Sequence, residues 1–218
     1  MQQDQQHDKC VDGENGVTNN TNGHRVAVIE DIEYLFDPKF LQDINFELEC
    51  SASYNPVISI HNPGESLTMR PLSNCDYEKG FIELLGHLTV VGNITRDLYL
   101  EKFHAMKACP GTYYVAVLED TDLQQIIGSA TLVIEHKFIR GTVVRGRIED
   151  VVTLDSHRGM QLGKLLVDAL TILSKHLGCY KTTLECKDDK MPFYNKFGYV
   201  KSLGNNYMEC RFNEPHST

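Results

Sequence analysis

Long apolar runs are missing from this chain. No stretch of its 218 residues approaches the ~18 consecutive apolar positions of a membrane-spanning helix, so none is expected. The N-terminus also lacks an apolar core segment, which argues against a secretory signal. Among seven cysteines there is no Cys-x-x-Cys spacing, and the odd count leaves no complete disulfide framework. Free, mostly buried thiols in a reducing, cytoplasmic compartment are therefore expected. Nine histidines show no paired ligand spacing, so no metal site is expected. Positive charge is in deficit as well. Lys and Arg number 21 against 30 Asp and Glu, a net of −9, which argues against an electrostatic nucleic-acid binder.

What is present is a 41% hydrophobic fraction, enough for one core, unevenly spread. Residues 1–30 are rich in Gln, Asn, Asp and Gly, with Val11 and Val17 the only aliphatics before Val26. Such a segment buries too little apolar surface to offset its ordering entropy, so a disordered tail is expected. Residues 31–66 read as a linking segment with a short helix starting near Phe36-Asp37-Pro38, and Pro56, Pro63 and Gly64 mark a loop.

Residues 67–218 alternate in type. Leu67 to Leu72 reads as a strand, with Ser73 a candidate N-cap and Asp76 three residues on. Phe81, Leu84, Leu85 and Leu88 have helical spacing. A second helix after Thr95 is expected to carry Leu98, Phe103 and Met106 inward. Tyr113–Glu119 and Ile126–Glu135 suggest an antiparallel hairpin. Arg145 to Leu154 is the next strand. Residues 160–177 carry a continuous leucine-rich stripe and form a helix, with Gly178 as its stop. Tyr180–Cys186 reads as a strand, 190–197 as a short helix and Tyr207–Phe212 as a last strand. The order predicts one α/β (α+β) domain, a mixed sheet with helices on both faces.

The segment Arg158-Gly159-Met160-Gln161-Leu162-Gly163-Lys164 stands between a strand and the long helix. A glycine turn opening a helix presents unpaired N–H groups and the positive end of the dipole, a cradle for phosphate or pyrophosphate. A nucleotide P-loop fits poorly, because Gly159 and Gly163 are one residue too close and Leu165 fills the Ser/Thr position. The dinucleotide fingerprint fails on spacing. The acetyltransferase turn Arg/Gln-x-x-Gly-x-Gly/Ala fits Arg158, Gly159 and Gly163, with Gln161 where the middle glycine is usual. An ordinary helix start remains the plain alternative.

The neighbouring residues bear on this choice. Ile148-Glu149-Asp150-Val151-Val152, then Arg158 to Leu166, Gly178-Cys179-Tyr180-Lys181, Leu184-Glu185-Cys186 and Phe193-Tyr194-Asn195-Lys196-Phe197-Gly198-Tyr199 follow in one order at close spacing. In this the chain resembles the glucosamine-6-phosphate N-acetyltransferase family of the GNAT superfamily. The resemblance is strong from Glu135 to Gly198 and weaker over Gly64 to Thr95. Gln161 is usual in this family. Arg140 departs from it, since histidine commonly follows Lys137-Phe138-Ile139.

The resemblance implies a single GNAT-type domain over 67–218 and transfer of acetyl from acetyl-CoA to the 2-amino group of glucosamine 6-phosphate. Backbone groups at Val151, with Val152, would serve the thioester carbonyl. Arg158, Gly159, Met160, Gln161, Leu162, Gly163 and Lys164 would hold the CoA pyrophosphate. Tyr194 would face the CoA sulfur, where a phenol can donate to a departing thiolate. Glu185 would orient the amine through its backbone carbonyl. Thr89, Lys137, Phe138, Ile139, Arg140, Glu149, Asp150, Tyr180, Lys181 and Arg211 would contact the sugar phosphate. A homodimer with shared sugar sites is implied, without metal. Each residue also has a plain reading: Tyr194 as core packing, Lys181 and Arg211 as surface charges. Two other functions remain open at this point, a protein or peptide N-acetyltransferase and a catalytically silent acyl-CoA or phosphosugar module.

Overall fold

A computed structural model describes residues 31–212, together with the backbones of 17–19 and 25–27. Strands β1 (Val17–Asn19) and β2 (Arg25–Ala27) pair antiparallel as a small separate sheet. The rest of the expected disordered tail lies outside the described residues. Two one-turn helices follow, α1 (Lys39–Gln42), with Pro38 just before it, and α2 (Phe46–Glu49). The segment 31–66 is more than a link, because Leu41, Ile44, Phe46 and Ile60 are buried in the main core.

Strand β3 (Leu67–Pro71) leads through turns to α3 (Phe81–Leu85) and α4 (Arg96–Lys107). Ser73 caps no helix. Its N–H donates to Asp76 at 2.7 Å, but Gly80, at φ 78°, precedes α3. Thr95 does cap α4, accepting from the Leu98 N–H at 3.3 Å. Tyr99 and Phe103 are the buried residues of α4, while Leu98 is half exposed at its solvent edge. The hairpin β4 (Tyr113–Asp120) and β5 (Gln125–His136) forms where expected. An irregular turn α5 (Ile139–Thr142), with Arg140 and Gly141 at positive φ, joins β5 to β6 (Val144–Thr153). Then come α6 (Leu162–His176), β7 (Cys179–Leu184) and the short α7 (Met191–Tyr194).

The sheet runs β3-β4-β5-β6-β7, antiparallel except for the parallel β6–β7 pair. Strand alternation separates two cores. Ala116, Leu118, Ile127, Leu132 and Ile148 face α6, whose Leu165, Leu166, Leu170 and Leu173 are fully buried. Val115, Val117, Ile126 and Val152 face α3 and α4. Each buried leucine of α6 contributes about 1.5–3 kcal/mol, so α6 is fixed firmly against the strands that carry the site. Gly146 permits this approach, since a Cβ there would lie 2.2 Å from Ser174 Oγ.

Two expectations need correction. Tyr207–Phe212 forms no strand and is exposed, because no neighbouring strand pairs with it among the described residues. The expectation of free, mostly buried thiols fails on both counts among the described residues. The buried Cys75 is disulfide-bonded, while of the free thiols Cys109, Cys186 and Cys210 are exposed and Cys50 and Cys179 half-buried.

Candidate active site

The start of α6 is set by two left-handed residues. Gly159 has φ 85° and Gln161, the N-cap, has φ 63°. No side chain caps this helix, and the first intrahelical bond is Leu165 N–H to Gln161 O at 2.9 Å. The N–H groups of the first turn are thus available at the positive end of a helix dipole. A Cβ at Gly163 would touch only Thr153, at 3.8 Å, so the space in front of the turn is open. These features fit a pyrophosphate.

Beside the turn, β6 carries a bulge. Thr131 pairs with Glu149 and Ser129 with Val152, so Asp150 and Val151 together face Ala130. Asp150 takes φ 52° to permit this. The β6–β7 ladder ends at Ile148 and Leu184, and beyond it the two strands part. The parting leaves Val151 and Val152 on one wall and Glu185 and Cys186 on the other.

The opening is a groove of about 450 Å³. Val151, Val152, Arg158, Gly159, Gln161, Leu162, Gly163, Lys164, Glu185 and Tyr194 line it, bringing most of the expected cofactor and catalytic residues together. Met160, in the same turn, points 41% of its surface to solvent and does not line the groove. The groove is also lined by His157, Cys186, Lys187, Lys190 and Phe193, which were not among the expected site residues; the charges of Lys187 and Lys190 suit an anionic ligand. The basic spacing Lys187 and Lys190, just past a strand end, was the available signal.

Tyr194 ends α7, half-buried, with its ring 5.0 Å from Phe193 and 6.3 Å from Tyr199. Burial, and then the nearby Cys186, push its phenol above the ordinary value, so it stays protonated at neutral pH. Burial and Asp188 likewise push the Cys186 thiol up, which disfavours a thiolate nucleophile.

Glu149 and Glu185 are tied by a residue that sequence reasoning passed over. Arg147 reaches Glu149 at 2.5 Å and Glu185 at 3.0 Å. Asp150 turns to the opposite face, where it edges a second cavity of about 490 Å³ under α3 and α4. That cavity is mainly apolar, and among the described residues Lys102 is the only cation on its wall, so it poorly suits a dianion.

The remaining expected sugar contacts lie elsewhere. Lys137, Phe138, Ile139 and Arg140 occupy the β5–β6 connection, and Tyr180 and Lys181 the start of β7. Arg140 and Lys181 flank the Tyr180 ring at 5.6 and 5.4 Å. Lys137 and Arg145 both pair with Glu135. Thr182 pairs with Gly146, so this basic patch sits near Arg145, six residues and about 20 Å along β6 from Val151. Thr89 is exposed after α3, and Arg211 pairs with Glu209 in the C-terminal stretch.

A bulged strand, parted parallel neighbours and an uncapped helix between them define an acyl-CoA-type transferase site, and comparison with known proteins agrees. The Acetyltransferase (GNAT) family profile matches residues 78–199, and the chain belongs to that family. Within it the chain is 49% identical, over 83% of its length and 83% of the relative's, to the probable glucosamine 6-phosphate N-acetyltransferase of Drosophila melanogaster. It is 38% identical to the glucosamine 6-phosphate N-acetyltransferase of Arabidopsis thaliana, over 62% of this chain and 90% of the relative. The crystal structure of an Arabidopsis thaliana glucosamine-6-phosphate N-acetyltransferase superposes with a TM-score of 0.65 at 35% identity, covering 67% of this chain and 99% of that one.

Proposed function

We propose that this chain transfers the acetyl group of acetyl-CoA to the 2-amino group of glucosamine 6-phosphate, giving N-acetylglucosamine 6-phosphate and CoA. The observation that carries this reading is the convergence of the uncapped α6 turn, the Val151 bulge and the Tyr194 phenol on one groove. The amine attacks the thioester carbon directly. An amino-sugar amine is weakly basic beside electron-withdrawing C–O bonds, so no strong general base is required. The first turn of α6, with Arg158, Lys187 and Lys190 at the rim, receives the pyrophosphate. Backbone N–H at the bulge faces the developing oxyanion. Tyr194, still protonated, donates to the departing thiolate. Arg147 holds the Glu149 and Glu185 carboxylates beside the amine's path.

The sugar phosphate is shared between two copies in this reading. The basic patch of Lys137, Arg140 and Lys181 is too far along β6 to serve its own groove, and a second copy can supply it. Exposed Phe138, Ile139, Leu203, Tyr207, Met208 and Phe212 offer the apolar surface for such an assembly. A cytoplasmic setting suits both substrates, and no helix among the described residues is long and apolar enough to cross a membrane.

The test is CoA-thiol release from acetyl-CoA across amino sugars, their 6-phosphates and peptides. Glucosamine 6-phosphate is expected to react fastest. Release with peptides and none with the sugar phosphate would overturn the assignment.

A further inference from the structure

The loop at residues 51–56 is fastened to the first two turns of α6 by contacts that neither the fold nor the reaction chemistry demands. Asp168 lies in the second turn of α6 and is fully buried. Its carboxylate accepts from the Ser51 N–H at 3.1 Å, the Ala52 N–H at 3.3 Å and the Tyr54 hydroxyl at 3.1 Å. Tyr54 also donates towards Lys164 O at 3.3 Å, and its ring packs on Phe46 at 5.6 Å. The Lys164 ammonium lies over the Tyr54 ring at 4.1 Å and donates to Ser53 O and to Gln161 Oε1.

Gln161 completes the fastening. Its side-chain oxygen accepts from the Asn55 N–H at 3.2 Å, and its side-chain nitrogen donates to Pro56 O at 3.0 Å. A non-glycine residue in the left-handed region is strained. Glycine would relieve that strain but hold nothing. The side chain explains why glutamine stands there: it exchanges backbone ease for a tie to a loop about 105 residues upstream. Two of the three Lys164 N–H groups are spent on the loop and on Gln161. Lys164 therefore acts mainly as an anchor, and the anion falls to the backbone N–H groups and the rim cations.

We propose that residues 51–56 form a strap that holds the first turn of α6 in its anion-receiving conformation, with Tyr54, Gln161 and Asp168 as positioning residues. This rests on the acetyl-CoA reading of the groove. Preorganisation is the physical gain. A turn already held open at φ 85° and 63° loses little freedom when the pyrophosphate arrives. None of residues 51–56 lines the groove, so their influence on ligand binding must pass through α6.

The experiment compares wild type, Gln161→Gly and Tyr54→Phe in the full chain. CoA affinity is measured by calorimetry, kcat and KM are separated for both substrates, and amide exchange is followed at residues 51–56 and 159–164. Both variants are expected to bind CoA about 5–30-fold more weakly, with acetyl-CoA KM raised in step and kcat within about twofold. The KM for the acceptor stays unchanged. Amides 159–164 exchange faster by more than the fall in global stability accounts for. Tyr54→Phe decides between a strap and a direct contact, because its hydroxyl lies behind the helix. Equal CoA affinity in the wild type and both folded variants overturns the strap alone. Weaker binding with unchanged exchange at 159–164 also overturns it. A wild-type chain that does not bind CoA overturns the cofactor reading and the strap's role together.

Discussion

Tyr194 combines partial burial with a place on the groove wall, so its hydroxyl can be tested apart from its packing. Tyr194→Phe keeps the ring against Phe193 and removes the donor, so kcat should fall by about 10–1,000-fold with little change in acetyl-CoA KM. Its phenol is raised above the ordinary value, so the protonated donor persists into alkaline solution. The wild-type kcat should therefore show no loss assignable to this group between pH 7 and about 10. An unchanged kcat in the variant, with chemistry shown to limit the rate, would return Tyr194 to a packing role. Gly163 offers a different separation. The protein itself tolerates a Cβ there, with Thr153 at an ordinary 3.8 Å. Gly163→Val should thus weaken CoA binding, by calorimetry, far more than it lowers the melting temperature. Equal affinity would remove Gly163 from the cradle.

Among the elements, α6 and β6 meet at Gly146, and their contact fixes the height of the cradle above the bulge. A methyl at Gly146 meets Ser174 Oγ, which itself accepts from Thr182 at 2.7 Å. Gly146→Ala should cost about 1–3 kcal/mol in urea denaturation, the range for overpacking a core. The other face is braced by a charged cluster between β3, β4 and the turn before α3. Arg70 pairs with Asp76 at 2.7 Å and Glu119 at 2.6 Å, and Lys79 reaches Glu119 at 2.6 Å, all largely buried. Burial alone would raise the Glu119 carboxyl, but Arg70 and Lys79 outweigh it and hold it below its usual range. A depressed carboxylate stabilises the fold above its unfolded value and loses that contribution as pH falls through its folded value. Glu119→Gln should therefore cost about 3 kcal/mol at pH 7. Its deficit should shrink as urea midpoints are followed down to pH 3. A deficit independent of pH would assign the loss to packing.

For the whole molecule, the basic patch around Tyr180 and the groove at Val151 lie at opposite ends of the β6–β7 pair. In the proposed reading a second copy supplies the patch to the groove. Light scattering at assay concentration should give twice the chain mass, with residues 1–30 dispensable. A fully active monomer would contradict a shared sugar site. Arg211 belongs to the same argument. Its planar fork suits two phosphate oxygens, and in the single chain it rests on Glu209. Arg211→Ala should raise KM for glucosamine 6-phosphate and reduce the preference for the phosphorylated sugar, while acetyl-CoA KM stays within about twofold because that anion sits at a separate helix start. An intact preference would place the phosphate elsewhere.

Local pattern alone determined much of this protein. The leucine stripe of α6, the stop at Gly178, the alternating hairpin β4–β5 and the glycine turn at 159–163 are short-range signals, legible because spacing and backbone preference act within a few residues. The turn Arg158–Lys164 was legible as a possible anion cradle for the same reason, whereas the place of Glu149–Val152 beside it was expected only from the family resemblance. Contacts across long sequence separations were not legible. Only the folded chain showed that Arg147 spans Glu149 and Glu185, that 31–66 enters the core, and that Gln161 ties down Asn55 and Pro56. Only the fold decided that Tyr207–Phe212 forms no strand among the described residues, because a strand exists by the hydrogen bonds of its neighbour and an alternating sequence cannot supply that neighbour.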